Sequence, residues 1–151
     1  MIKIIAVGSI KEKYLKEAIE EYQKRLQKYT KIEIIEVKDE GILEKDKILK
    51  VEKERILKQI SKDDYIITLE IEGKELTSLE FAKKLEETLI EKSNITFIIG
   101  GSHGLSDEIK KLSNYALSFS KMTFPHQLFR LILLEQIYRS YKINNHESYH
   151  K

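Results

Sequence analysis

The chain has 151 residues, 41% of them hydrophobic and 34% charged, which fits one folded domain and excludes a disordered or fibrous protein. It contains no cysteine, which excludes disulfides, thiol nucleophiles and thiolate metal sites, and a net charge of +2 does not by itself announce nucleic acid. The opening "MIKIIAVGS" is too short for a secretory h-region, and the longest apolar run, "LILLEQIY", is broken by Glu135, so a cytoplasmic chain without a membrane segment is expected.

Taken in chain order, "IKIIAV" (2–7) is β-branched and free of turn residues, a buried strand. From 14 to 29 the apolar positions 15, 18, 19, 22, 26 and 29 have helical spacing. "KIEIIEV" (31–37) alternates as a strand, and residues 45 to about 60 return to helix with Ile48, Leu49, Ile56 and Ile60 inward. "YIITLEI" (65–71) is the next strand, ended by Gly73. Thr77 and Glu80 form a capping box for a helix with the stripe Leu79, Ala82, Leu85 and Leu89. "ITFIIGG" (95–101) runs into glycines, Ser106 caps a short helix, and "ALSFS" (116–120) alternates once more. Pro125, the only proline, opens a last helix to about 143. The alternation predicts an α/β fold: a mainly parallel sheet with helices on both faces, in one domain over 1–151. Ligands of such sheets bind at the C-terminal ends of the strands, here after 65–71, 95–101 and 116–120.

Three of the six glycines lie in "GGSHG" (100–104), between an apolar strand and a capped helix, where bare backbone lets a ligand approach. The same residues also spell G-x-S-x-G, a nucleophile-elbow pattern that would make Ser102 the nucleophile of an esterase, with Glu135 and His146 or His150 completing a triad. Against it, only 49 residues follow Ser102, and no HGGG-like segment precedes it. His146 and His150 have the i, i+4 spacing of a helical metal pair, but "NNHESYHK" forms helix poorly; no metal is expected. The last helix is apolar at 128, 129, 131–134, 137, 138 and 141, on nearly every face, which predicts that a second subunit covers it. Residues 121–151 carry five Lys/Arg against two Glu, a local excess of basic charge.

The segments "SFSKMTFPHQLFRLILLEQIYRSYKI", "FIIGGSHGLS", "ITLEIEGK" and the final "YHK" closely resemble a small bacterial family, the SPOUT-class methyltransferases that modify N3 of a pseudouridine in large-subunit (23S) ribosomal RNA. The resemblance spans the chain from "KIIAVGSIKEKY" to Lys151. It implies a C-terminal trefoil knot, a homodimer through the last helix, S-adenosylmethionine as cofactor, and the assembled ribosome as partner. It implies cofactor contacts at Leu69, at Gly100, and along Phe119, Ser120, Lys121, Met122, Thr123 and Phe124. For catalysis the expectation is His150 as proton acceptor or anion partner, with Tyr149 and Lys151 orienting the base. Arg130 and Arg139 are expected to bind RNA phosphate or brace the tail. His103 is not expected to be catalytic. A non-enzymatic ribosome-associated module is the remaining alternative, and it predicts no cofactor binding. The tail "INNHESYHK" departs from relatives, which often carry an arginine near Asn145 and a proline in place of Ser148, so its orientation stays open.

Overall fold

A computed structural model describes residues 1–41 and 44–151. Five strands and five helices alternate: β1 Ile2–Val7, α1 Lys13–Leu26, β2 Ile32–Val37, α2 Lys45–Leu57, β3 Tyr65–Glu75, α3 Ser78–Glu91, β4 Ile95–Ile99, α4 Asp107–Leu112, β5 Tyr115–Ser118 and α5 His126–Asn144. The strands form one sheet in the order β2-β1-β4-β3-β5, with every pairing parallel. Parallel strands need crossovers, and helices supply them on both faces, as the alternation predicted.

The period of two decides which face each strand residue serves. Ile2, Ile4 and Ala6 of β1 pack with Phe97, Ile99 and Ile67 against α1, α3 and α5. Their neighbours Ile5 and Val7 pack with Ile66 and Ile98 against Ile56 of α2 and Ile109 of α4.

Helix starts follow the caps. The Thr77 hydroxyl accepts from the Glu80 N–H (3.1 Å), and the Glu80 carboxylate accepts from the Thr77 N–H (3.0 Å), the reciprocal box read in the sequence. The expected α3 stripe is corrected at one position. Leu79 is 57% exposed, and Phe81 takes its place inside with Ala82 and Leu85. In the helix that starts at Ser78, the sheet beneath takes residue 81 onto Phe97, 6.2 Å between ring centroids, and leaves residue 79 outward. Pro125 is the residue before α5 and not its first turn. Its ψ of 130° is extended, and its carbonyl accepts the Phe129 N–H at 2.9 Å. α1 stops at Leu26, short of Tyr29, which still packs on the core.

β3 differs most from expectation, because it continues through Gly73 to Glu75. Its ladder with β5 breaks between Leu69 and Lys74, both of which pair with Leu117. The chain leaves the sheet at Glu70 and returns four residues later. At the return, a Cβ on Gly73 would stand 2.8 Å from the Ala116 carbonyl, so only glycine lets the two backbones close.

At the opposite rim the Lys3 ammonium donates to Asp64 Oδ2 (3.0 Å) and to the Gln59 carbonyl (2.9 Å), while the Ser61 N–H donates to the same Asp64 oxygen (2.9 Å). Both side chains are buried. Burial alone would raise the Asp64 carboxyl; the Ser61 N–H and the Lys3 ammonium outweigh it and hold it below the usual carboxylate range. A depressed carboxyl contributes stability that is present above its unfolded value, about 3.9, and lost as the pH falls through the folded value. Asp64→Asn is expected to cost roughly 3 kcal/mol in urea unfolding at pH 7 by leaving the Lys3 charge buried and unmatched. The deficit should shrink below pH 4.

Candidate functional site

The C-terminal ends of β4 and β5 flank the break within β3, and the excursion of β3 with the turns that leave β4 and β5 encloses a cavity of about 200 Å³. Leu69, Glu70 and Ile71 contribute one wall, Gly100 to Ser102 with Gly104 a second, and Phe119, Ser120, Met122, Thr123 and Phe124 a third. His126 and Phe129 of α5 close the remaining side. An adjoining cavity of about 260 Å³, reaching Thr77, Phe81, Ile132 and Gln136, shares Phe119 and Phe124 as a common wall. Together the two fall within the roughly 300–1,000 Å³ of small-molecule sites.

Each wall has a local cause. After β4 the backbone folds back on itself: the Gly104 N–H donates to the Gly101 carbonyl at 3.0 Å, and Gly104 adopts φ +75°. A Cβ on Gly100 would lie 2.6 Å from the Gly104 carbonyl, so the turn closes only over bare backbone. After β5 the Ser118 hydroxyl donates to the Ser120 carbonyl (3.0 Å), and the Ser120 hydroxyl accepts the Met122 N–H (3.0 Å), shaping the loop before Pro125. Phe119 packs on Phe129 (4.9 Å) and on Phe81 (6.2 Å), giving the cavity an aromatic side.

Of the residues singled out in the sequence, Leu69, Gly100, Phe119, Ser120, Met122, Thr123 and Phe124 meet at this cavity, whereas Lys121 is exposed outside its lining. Glu70, Ser118, His126 and Phe129 also line it and escaped the sequence reading. The i+4 relation of Phe129 to Pro125 was the one available signal for it.

Ser102 sits on the rim, but the esterase reading fails. Its intended partners Glu135, His146 and His150 lie along the far half of α5 and the tail, where Glu135 is committed to Arg139 (2.6 Å) and Tyr149 (3.1 Å). Ser102 has no left-handed φ, so the turn is not a strained elbow. Among the described residues no three His, Cys, Asp or Glu side chains gather as a metal site, and no helix is long and apolar enough to cross a membrane.

Arg130 is corrected as a phosphate contact. It is 2% exposed, its guanidinium donating to Glu36 and to the Gly8 carbonyl (3.2 Å), so it locks α5 to the β1–β2 rim. Arg139 instead braces the tail, bonding Glu135 and meeting His150 Nδ1 at 3.1 Å. Because a guanidinium only donates, Nδ1 accepts and a neutral His150 carries its proton on Nε2. Tyr149 stands edge-on to Tyr138 at 5.0 Å; burial, then hydrogen bonds to Tyr22 and Glu135, push its phenol far up, so it stays protonated. No tail residue lines the cavity of its own chain. Phe129 at the cavity and Arg139 at the tail are ten residues apart on α5, about 15 Å.

Residues 1–150 match the family described as "Predicted SPOUT methyltransferase". The chain belongs to the SPOUT methyltransferase family. A Methanococcus maripaludis relative is 60% identical over 157 residues, covering 99% of each chain. The Ribosomal RNA large subunit methyltransferase H of Acetivibrio thermocellus is 52% identical with the same coverage, and that of Caldicellulosiruptor saccharolyticus is 51% identical over the whole of both chains. A solved "probable methylase family protein" of Haemophilus influenzae Rd KW20 aligns over 99% of this chain and 70% of its own with a TM-score of 0.57; at 15% identity it attests the fold alone.

A SPOUT enzyme uses a methyl donor, and the rim cavity fits one: bare glycine backbone, an aromatic wall and hydroxyl groups stand on three sides. Gly100→Ala is expected to weaken donor binding more than tenfold in calorimetry, since the new Cβ drives the 100–104 turn apart. Ser102→Ala should leave it within twofold.

Proposed function

We propose that the chain, acting as one domain with the family's knotted backbone, transfers a methyl group from S-adenosylmethionine to N3 of a pseudouridine in large-subunit ribosomal RNA. One observation carries this reading: three turns at one rim form a glycine-floored cavity in a chain more than half identical, end to end, to ribosomal RNA large subunit methyltransferases. Leu69, Gly100 and the 119–124 loop would hold the donor. Bound there, the donor would supply an electrophilic methyl: N3 would give its proton to solvent water, and the methyl would pass from sulfur to N3, leaving a neutral thioether.

The acceptor side needs a second subunit. In one chain α5 leaves Leu128, Phe129, Leu131 and Ile132 only half-covered, and Ile71, Leu79 and Met122 are exposed. A two-fold pairing along α5 covers this surface and carries each tail toward the partner's cavity. That answers the separation of tail and cavity within one chain.

In that arrangement His150 donates from Nε2 to the imide anion of the base, since Nδ1 is held by Arg139. The protonated phenol of Tyr149, fixed by Glu135, positions the tail; Lys151 adds positive charge beside the base. His150 is thus an anion partner and not the proton acceptor. With a net charge of only +2 the protein neutralises few phosphates, so we infer that it reads a shaped target, the assembled subunit in the cytoplasm.

S-adenosylmethionine is expected to bind in calorimetry, and no binding would remove the reading. His150→Ala should lower kcat on large subunits by about 10²-fold with donor binding unchanged. Mixing the impaired Gly100→Ala and His150→Ala dimers, at donor concentrations too low for Gly100→Ala, should restore activity, because a heterodimer then holds one complete site; no recovery after subunit exchange would overturn the shared site.

A further inference from the structure

The donor cavity has one carboxylate in its lining, Glu70, and no lysine or arginine opposite it. Among the described residues Glu70 forms no ion pair. Its polar partner is the Thr68 hydroxyl, which donates to Oε2 at 2.6 Å. Thr68 is fully buried; with its one proton on Glu70, its Oγ1 accepts at 2.8 Å from the Ser113 hydroxyl, whose oxygen in turn accepts the Tyr115 N–H at 3.2 Å. A chain of hydroxyls anchored at the start of β5 therefore fixes a half-buried negative charge at the point where β3 leaves the sheet. A carboxylate held this firmly without a cation is a charge waiting for one.

Resting on the donor reading above, we propose that Glu70 is a specificity residue whose carboxylate faces the sulfonium of S-adenosylmethionine and distinguishes the charged donor from the neutral thioether product. The donor has two cationic centres. An ammonium can be satisfied by carbonyls or water through its N–H groups; a sulfonium has no such hydrogen and responds to charge alone. Much of the surrounding lining is apolar, from Leu69, Ile99, Leu117, Phe119 and Phe129, so a sulfonium placed there loses water and gains most from an opposite charge. The positive charge fades as the methyl departs. The interaction is therefore strongest in the ground state: it tightens donor binding without raising kcat, and its loss after transfer favours product release.

Calorimetry with S-adenosylmethionine and with S-adenosylhomocysteine, on the wild-type chain and on Glu70→Gln, tests this. Glutamine keeps the size and can still accept from Thr68. The donor Kd is expected to rise about tenfold while that of the product stays within twofold. KM for the donor should rise in parallel while kcat does not fall and rises if transfer limits it, and Glu70→Ala should show the same one-sided loss of donor binding. Equal weakening of both ligands would mean that Glu70 reads a group common to them, and no weakening that it reads neither; each overturns the assignment while leaving the donor reading intact. A wild-type chain that binds neither ligand overturns that reading, and the assignment with it.

Discussion

The site depends on β3 pairing in parallel with β4 on one side and β5 on the other. Parallel pairing sends all three C-terminal ends to one rim, and the crossover helices α3 and α4 return the chain to the far side each time. The turns that leave the rim have no choice but to be neighbours. What makes them a cavity and not a packed edge is the chemistry at each place: a four-residue excursion within β3, a glycine fold-back after β4, and a serine-ordered loop after β5.

α5 unites three environments along one axis. Its first turns offer Phe129 to the cavity, its middle buries Leu133, Leu134 and Ile137 on the sheet, and Glu135 and Arg139 on another face hold the tail. Arg130 fixes the helix to the remaining strands by meeting Glu36 and the Gly8 carbonyl, with Nε left without a partner among the described residues. A buried guanidinium so held specifies position more than it adds stability. It sets how the cavity end of α5 stands relative to the sheet.

The strands, the helix caps and the rim were legible because each rests on a local rule. β-branched runs announced β1 and β4, Thr77 with Glu80 announced α3, and "GGSHG" announced bare backbone where a ligand could approach. What stayed hidden depends on distant partners. Leu79 and Phe81 both suit the periodicity of α3, and only the sheet beneath decides between them. Arg130 reads as a surface cation until Glu36, 94 residues away, is found beside it. Gly73 reads as a strand terminator, whereas its real service is to the backbone of Ala116. The tail's seat against Tyr22 and Tyr138 is likewise invisible in "NNHESYHK".

The excursion of β3 has a bearing on how a ligand is received. Leu69 and Lys74 are both fastened to Leu117, so residues 70–73 form a small hoop with its two feet on one spot, tightened by the contact at Gly73. A hoop of that size, shut before anything arrives, has little conformational freedom left to surrender. The entropic toll of capture then falls on the opposite side of the pocket, along the serine-ordered stretch that precedes Pro125.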